Sequence, residues 1–175
     1  MTNDCKGPSD SIPTGSIRWD SSWPALAEEA ERQHLFSYLE HRFGISRKHF
    51  ADYLLLRKRR TWFLLRDTAF ISSAVRLKPV QAGLRAFQQV GGFVKPTTRF
   101  IQTFGRFADR SRVQIDLVRL QALLRGEKIH VDLPLHNGYV ILVIGKGHVL
   151  GFGLYVNGRI SSQLPRKEIR DAMLS

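Results

Sequence analysis

The amino-acid sequence predicts a mixed α/β (α+β) fold, and three observations support that prediction. One stretch near the N-terminus has apolar residues at helical spacing. Several short segments rich in β-branched and aromatic residues alternate with turn-forming residues. The last quarter has an almost continuous strand pattern. With 43% hydrophobic and 24% charged residues among 175, the composition is that of a folded protein, which excludes global disorder.

The chain divides into three parts. Residues 1–17 are rich in Gly, Pro, Ser and Thr and lack an apolar period, which predicts a flexible tail. A polar, charged segment at residues 106–112 predicts a boundary between two domains. We expect the first domain to span residues 18–108 and the second to span residues 109–175.

The first domain begins with a predicted helix over residues 22–43. Pro24 fits the first turn, where a missing backbone N–H costs nothing, and Gly44 is a typical residue to end the helix. Ser46 is then a typical N-cap for a second, short helix. The apolar stripe that faces the core consists of Leu35, Phe36, Leu39 and Phe43.

Two hairpins and a short helix complete the first domain. The first hairpin joins strands at residues 53–56 and 61–65 through the basic turn of residues 57–60. The second hairpin turns at Gly91 and Gly92. A short helix follows it, and the apolar side chains of this helix are Phe100, Ile101 and Phe104.

The second domain begins with a predicted strand at residues 112–115. Asp116 is a typical N-cap for the helix that follows, and Gly126 ends that helix. Residues 129–164 have a strand pattern, with a type I′ hairpin signal at Asn157-Gly158. The apolar arc of the helix consists of Leu117, Leu120, Leu123 and Leu124.

The formal net charge of +12 is distributed unevenly. Residues 41–128 hold 19 basic and 5 acidic side chains, a net charge of +14. The remaining positions hold 8 basic and 10 acidic side chains, a net charge of −2. A strongly basic region with ordinary aliphatic content indicates a polyanionic partner, in the first place nucleic acid.

Two groups of cations are candidate contacts for such a partner. The four adjacent cations at residues 57–60 repel one another, and a phosphate backbone would relieve that repulsion. The alternative is a solvated hairpin tip, and the regional charge favours the phosphate interpretation. The second group surrounds the predicted helix after Asp116, where phosphate contacts and ordinary helix solubility explain the cations equally well.

Aromatic side chains alternate with cations around Lys95 and Arg99. Such alternation is typical of stacking surfaces for single-stranded RNA. Phe100 and Phe104 are four residues apart on one helix, which favours a core position for both. Phe107 remains a candidate for stacking.

Catalytic and metal-binding patterns are absent from the sequence. The six histidines are scattered and the carboxylates dispersed, so we predict no metal, no cofactor and no enzymatic activity. Cys5 is the single cysteine, which fits a reducing cytoplasm. Because no apolar run approaches the roughly 20 residues of a membrane-spanning helix, we expect a cytoplasmic protein without a membrane partner.

The second half of the sequence carries motifs that resemble a PUA domain. The most specific are Leu-Gly-Phe-Gly at residues 150–153 and Asn-Gly-Arg-Ile at residues 157–160. The closest variants are the PUA-like C-terminal module of Sun-family ribosomal RNA cytosine-C5 methyltransferases and the PUA half of Nip-type large-subunit biogenesis proteins. Residues 91–100 look like a stretch of the pre-PUA domain of the Nip-type family.

This resemblance implies an N-terminal pre-PUA α/β domain followed by a PUA-type β pseudobarrel with a short helix. It also implies a non-catalytic protein that binds structured RNA, either ribosomal RNA or a pre-ribosomal particle, in ribosome biogenesis or RNA modification. Methyl transfer does not carry over, since Cys5 lies in no matching motif. The candidate RNA-binding residues are Arg57, Lys58, Arg59, Arg60, Lys95, Arg99, Arg112, Arg119, Arg125, Lys128 and Arg159.

A second hypothesis stays open beside RNA binding. The chain could be a protein-interaction adaptor, a targeting module for an RNA methyltransferase or a ribosome assembly factor encoded on another chain. The aromatic pair Trp19 and Trp23 would then be a docking site. It also stays open whether the first half of the chain binds RNA or protein.

Overall fold

The computed structural model describes residues 24–71 and 83–165. Over these ranges the chain forms two five-stranded sheets and three α-helices, which confirms the mixed α/β fold. The predicted tail of residues 1–17 and the aromatic pair Trp19 and Trp23 lie outside the described residues.

The first sheet is antiparallel throughout, with its strands in chain order. It confirms both predicted hairpins, the second of which turns at Gly91 with φ 60°. Its strands are β1 (Ala25–Leu26), β2 (Tyr53–Lys58), β3 (Thr61–Arg66), β4 (Leu84–Val90) and β5 (Phe93–Pro96).

The predicted start of the first helix is wrong. Helix α1 spans Glu29–Phe43, and the residues before it form the edge strand β1. Leu26 pairs with Leu56 of β2, and the Ala27 amide donates to the Leu55 carbonyl at 2.8 Å. An open edge of β2 would leave backbone groups without partners, and this pairing outweighs the helical preference of the segment.

The end of α1 follows the prediction. Gly44 adopts φ 69°, and its amide hydrogen bonds to the Glu40 carbonyl, a conformation in which glycine avoids the steric cost of a side chain. The Ser46 hydroxyl then accepts from the Lys48 amide and caps a 3-10 turn over Arg47–Phe50. The predicted stripe is buried, as Leu35, Phe36, Leu39 and Phe43 are all at most 3% exposed.

Helix α2 spans Thr98–Phe104 and follows the second hairpin as predicted. The Thr97 hydroxyl caps it by accepting from the Phe100 amide at 3.2 Å, and a 3-10 turn over Gly105–Phe107 continues it. Its apolar side chains are in the core, which confirms that interpretation over RNA stacking for Phe100 and Phe104.

The second sheet has the strand order β6-β8-β9-β10-β7 and curls into a half-barrel. The pairing of β6 with β8 is parallel and the others are antiparallel. Asn157 and Gly158, with φ 48° and 76°, form the predicted type I′ turn. The strands are β6 (Arg112–Ile115), β7 (Ile129–His130), β8 (Gly138–Ile144), β9 (His148–Val156) and β10 (Arg159–Ser162).

Helix α3 spans Leu117–Arg125, between β6 and β7, with the predicted caps. The Asp116 carboxylate accepts from the Arg119 amide at 2.7 Å, and Gly126 ends the helix with φ 89°. Of the predicted apolar arc, Leu120 and Leu123 are buried, whereas the side chain of Leu117 is 64% exposed. The first turn of α3 lies beside the end of β8, where the chain turns away and leaves Leu117 open to solvent.

The two sheets share one hydrophobic cluster. Phe43 at the end of α1 packs against Phe152 of β9, with ring centroids 5.8 Å apart, and Ile141 of β8 belongs to the same cluster. The predicted boundary at residue 108 stays a prediction. Whatever its position, the two halves are joined by packed side chains.

Polar contacts at Arg42 accompany this shared core. The Arg42 side chain donates from Nε to the Tyr139 carbonyl at 2.8 Å and from Nη1 to the His136 carbonyl at 3.0 Å. The Ser111 hydroxyl in turn donates to the Arg42 carbonyl at 2.8 Å. The end of α1 is therefore bonded through its side chain to β8 and the segment before it, and through its backbone to Ser111, the residue before β6.

Replacing Phe152 with alanine is expected to destabilise the whole chain, because it removes ring packing with Phe43 and Tyr139 from a 4% exposed site. We expect a decrease of about 3–5 kcal/mol in the free energy of unfolding, measured by chemical denaturation. Phe93→Ala is the matched control, because Phe93 is 83% exposed and its removal is expected to change stability by about 0.5 kcal/mol or less. Equal decreases in the two variants would contradict a shared core.

Candidate nucleic-acid interface

The structure distributes the predicted basic residues over three surfaces. We call the end of the first hairpin, formed by residues 57–60, the hairpin tip. The space between the first sheet with Thr98–Phe104 on one side and strands β8 and β9 on the other is the junction cleft, and it is lined by Lys95 and Arg99. The surface formed by β9, β10 and Lys128, the residue before β7, is the second-sheet face, and Arg159 of β10 lies on it.

At the hairpin tip the basic run is divided between strand and turn. The prediction that the basic turn has four residues is wrong, since Arg57 and Lys58 are the last residues of β2 and only Arg59 and Arg60 form the turn. Paired strands are stable up to the turn, with Arg57 opposite Trp62 and Lys58 opposite Thr61. Because successive strand residues point to opposite faces, Arg57 and Lys58 lie on different sides of the sheet.

Arg57 is already engaged within the protein. Its guanidinium group forms an ion pair with Glu31 of α1 at 2.8 Å and lies 5.2 Å from the centroid of the Trp62 ring. A phosphate would have to compete with this carboxylate. The exposed side chains of Arg59 and Arg60 have no ion pair among the described residues, so the turn itself is the more available part of the tip.

One side chain of the hairpin tip, that of Lys58, lies on the same face of the first sheet as the junction cleft. Lys58 lies opposite Thr61, Thr61 opposite Gln88, and Gln88 opposite Lys95. Directly paired residues share a face, so these four side chains form one row across four strands. At about 4.8 Å per strand, the row extends roughly 14 Å.

The junction cleft has a volume of about 310 Å³ and is open to solvent. Its first wall comes from β4, β5 and α2, and its second from β8, β9 and the segment after β10. Lys95 and Arg99, both predicted, lie along it. The polar and aromatic lining includes Arg85, Gln88, Lys95, Arg99, Gln102 and Tyr139.

Arg85 is a cleft residue that the sequence pattern did not identify. In a regular strand Arg85 would share a face with Phe87, which is fully buried. The pairing shifts, however, from Trp62 opposite Phe87 to Phe63 opposite Arg85, so one extra residue of β4 forms a bulge. The bulge turns Arg85 to the face that carries Lys95.

The junction cleft is positively charged. Within the part of the chain that the structure describes, no carboxylate lines the cleft, and no ion pair involves Arg85, Lys95 or Arg99. The Lys95 ammonium group lies 6.0 Å from the centroid of the half-buried Tyr139 ring. These three cations therefore keep their charge available to a ligand.

The second-sheet face brings together cations that are distant in the sequence. Strand β7 pairs with β10, which places Arg159 opposite His130 and close to Lys128. Lys128 and Arg159, together with residues of β9, line a concave surface of about 480 Å³, where no described residue contributes a carboxylate. His130 was not predicted, because only the pairing of β7 with β10 places it beside Arg159.

The remaining predicted cations, Arg112, Arg119 and Arg125, lie outside these three surfaces and do not form a site together. Arg112 lies on β6, at the opposite edge of the second sheet from β7, and donates to the Ala108 carbonyl at 3.2 Å. Arg119 is exposed on α3. Arg125 forms an ion pair with Glu127 at 2.6 Å, and this hydrogen bond lowers the pKa of the Glu127 carboxyl.

Phe107, the remaining candidate for RNA stacking, is used inside the protein. Its ring stacks on the His49 ring with centroids 4.0 Å apart, and the Arg106 guanidinium group lies 4.7 Å from its centroid. Phe107 is also half-buried against the first hydrophobic cluster. The aromatic ring of Phe107 therefore serves packing within the protein.

Neither a metal site nor a membrane span is formed by the described residues. Within residues 24–71 and 83–165, no three His, Cys, Asp or Glu side chains are grouped so that they could hold a metal ion. Over the same ranges, no helix combines the length and apolar character needed to cross a membrane. Cys5 lies outside the described part of the chain.

Comparison with known proteins supports the PUA assignment. Residues 110–170 match the family model described as the methyltransferase RsmF PUA domain. The second sheet with α3 therefore matches a PUA domain of the type that the sequence motifs indicated, which supports a PUA-containing protein that resembles the C-terminal module of Sun-family enzymes.

One curated relative is the ribosomal RNA small subunit methyltransferase F of Psychromonas ingrahamii (strain DSM 17664 / CCUG 51855 / 37). It is 26% identical over 147 residues, which cover 81% of this chain and 29% of that protein. The chain therefore spans less than a third of the relative's length. Because the match extends well beyond residues 110–170, part of the first half is also similar to this methyltransferase.

The titration of Glu127 tests the ion pair that occupies Arg125. A lowered pKa means that the pair is present above the usual glutamate range and is lost as the pH falls through the folded-state pKa of Glu127. In an Arg125→Gln variant, we expect that pKa to rise towards the ordinary value of 4.5, followed by NMR of the side-chain carboxyl. An unchanged pKa would show that the pair does not persist in solution.

Proposed function

We propose that this chain is a non-catalytic protein that binds structured RNA, and that its target is ribosomal RNA or a pre-ribosomal particle in ribosome biogenesis or RNA modification. The PUA domain supports the proposal, as does the name of the relative, which is a methyltransferase of ribosomal RNA. We place this role in the cytoplasm, which fits a sequence with a single cysteine.

The row of side chains from Lys58 to Lys95 carries the proposal. It connects Lys58 of the hairpin tip with the junction cleft on one face, so cations that are nearly forty positions apart in the sequence share one surface. A phosphate backbone laid along this row would meet cations at both ends. Each phosphate that is neutralised releases counterions, which favours binding at low salt.

The second-sheet face supports RNA binding from the PUA side. Lys128 and Arg159 line a concave surface to which the described residues bring no carboxylate, His130 lies opposite Arg159, and Arg119 is exposed on helix α3. Contacts at this face would orient the RNA, while the hairpin tip would add contacts that do not depend on sequence. The proposed RNA would therefore touch both sheets.

Affinity for a ribosomal RNA hairpin should fall steeply between 50 and 300 mM salt, measured by fluorescence anisotropy. The double variant Lys58→Gln/Arg60→Gln should bind more weakly, and the slope of log affinity against log salt should become shallower by about 0.7–0.9 for each phosphate that is no longer neutralised. Lys146→Gln/Arg66→Gln removes the same charge away from the row and should change the slope little. Salt-independent binding by the unaltered chain would refute the proposal.

An adaptor role is the second candidate function, and one observation favours it. Leu117 and Val118 at the start of α3 are 64% and 73% exposed, beside an open surface that includes Ile144. Exposed aliphatic pairs of this kind suit a protein contact. The partner would be an RNA methyltransferase or a ribosome assembly factor on another chain.

Recovery of partners from cell lysate separates the two functions. If the chain is an adaptor, a methyltransferase or assembly factor should remain bound after ribonuclease treatment, and Leu117→Ser/Val118→Ser should abolish its recovery. If the chain acts through RNA, ribonuclease should release the bound proteins, while the serine variant should behave like the unaltered chain. Retention of the same partner by the serine variant after ribonuclease treatment would refute a contact through this pair.

A further inference from the structure

We propose that the junction cleft binds a single unstacked nucleotide of the RNA, with the base inside the cleft and the flanking phosphates on its cations. This inference rests on the proposed RNA binding and specifies which feature of the RNA is recognised. It concerns a site formed by both halves of the chain. Phosphate contacts along the row of cations give no role to Arg85, Gln102 or Tyr139, which the cleft brings together.

The dimensions of the cleft favour one nucleotide over a duplex. Its volume of about 310 Å³ is near the lower end of the roughly 300–1,000 Å³ typical of small-molecule sites. An RNA helix is far too wide to enter such a space, whereas a base displaced from a bulge or loop fits. Sequence-dependent recognition of RNA relies mainly on bases of that unstacked kind.

The chemistry of the lining fits a base as well as phosphate. Gln88, Gln102 and Gln163 line the cleft with amides, which carry both donors and acceptors and can match the edge of a base. The Gln102 amide nitrogen donates to the Leu150 carbonyl at 3.0 Å, which leaves its oxygen as an acceptor. A site for phosphate alone would have no need of acceptors.

Aromatic and guanidinium groups supply the stacking surfaces. The half-buried Tyr139 ring is in the wall of the cleft, and Phe152 supports it with ring centroids 5.6 Å apart. Bases stack on tyrosine rings and on the planes of arginine side chains. Arg85 and Arg99, both exposed and on the first wall, can act in this way or bind the flanking phosphates.

The cleft is held in place by contacts across the junction. The Gln102 bond joins α2 to β9, and a Cβ added to Gly151 would approach the Thr98 side chain to 3.0 Å. Arg42 bonds to the carbonyl of Tyr139 itself. Because both walls are fixed before RNA arrives, the site is preorganised and little ordering is needed on binding.

The test compares two RNA hairpins of equal length, one fully paired and one with a single bulged adenosine. We expect the unaltered chain to bind the bulged hairpin about tenfold more tightly, in keeping with the stacking of one base. Arg85→Gln/Arg99→Gln should reduce this preference to about twofold or less. Lys58→Gln/Arg60→Gln should weaken binding of both hairpins by a similar factor and leave the preference intact. Thermal unfolding of each variant confirms that it is folded.

The outcomes distinguish this inference from the proposed function. Strong, salt-dependent binding of both hairpins without a preference would overturn the nucleotide site and leave RNA binding standing. Binding of neither hairpin would overturn both. A third result, in which a polyglutamate peptide binds through Arg85 and Arg99 while the bulge confers no preference, would assign the cleft to an acidic peptide and also overturn the inference.

Discussion

The junction between the two sheets depends on the last turn of α1, where Arg42 and Phe43 act together. Arg42 donates hydrogen bonds to the carbonyl of Tyr139 in β8 and to that of His136 before β8, and Phe43 packs on Phe152 in the shared core. The polar contact fixes direction and the apolar contact supplies most of the stabilisation. The junction cleft combines residues of both halves, and its geometry depends on this turn together with the Gln102 hydrogen bond to β9.

The arrangement of the first sheet determines which cations can contact the same ligand. The cations of the first half cannot all reach one ligand, since Arg57 is paired with Glu31 on the side of the sheet that faces α1. Lys58 and Lys95, by contrast, lie on the opposite face. The sheet thereby separates a cation that is bound to α1 from the cations that share a face with the junction cleft.

Local features of the fold could be predicted from the sequence, because glycines, caps and turn residues act over a few positions. Gly44, Ser46, Asp116 and Asn157-Gly158 all have the predicted roles. Features set by tertiary pairing could not be predicted. The strand at Ala25–Leu26 needs the open edge of β2, the orientation of Arg85 needs a bulge opposite Trp62 and Phe63, and the exposure of Leu117 depends on where β8 ends. The binding surfaces depend largely on this second kind of information.

The bond from Arg42 to the carbonyl of Tyr139 spans 97 positions of the chain. The contact between Phe43 and Phe152 spans a similar distance in sequence. During synthesis, the aromatic cluster around Phe43 stays exposed on this side until the segment that contains β9 has emerged. Contacts so distant in sequence slow folding, because the loop between them must close before they give any stability. The first half is thus expected to be a poor folding unit when it is produced alone, with an apolar surface that favours aggregation.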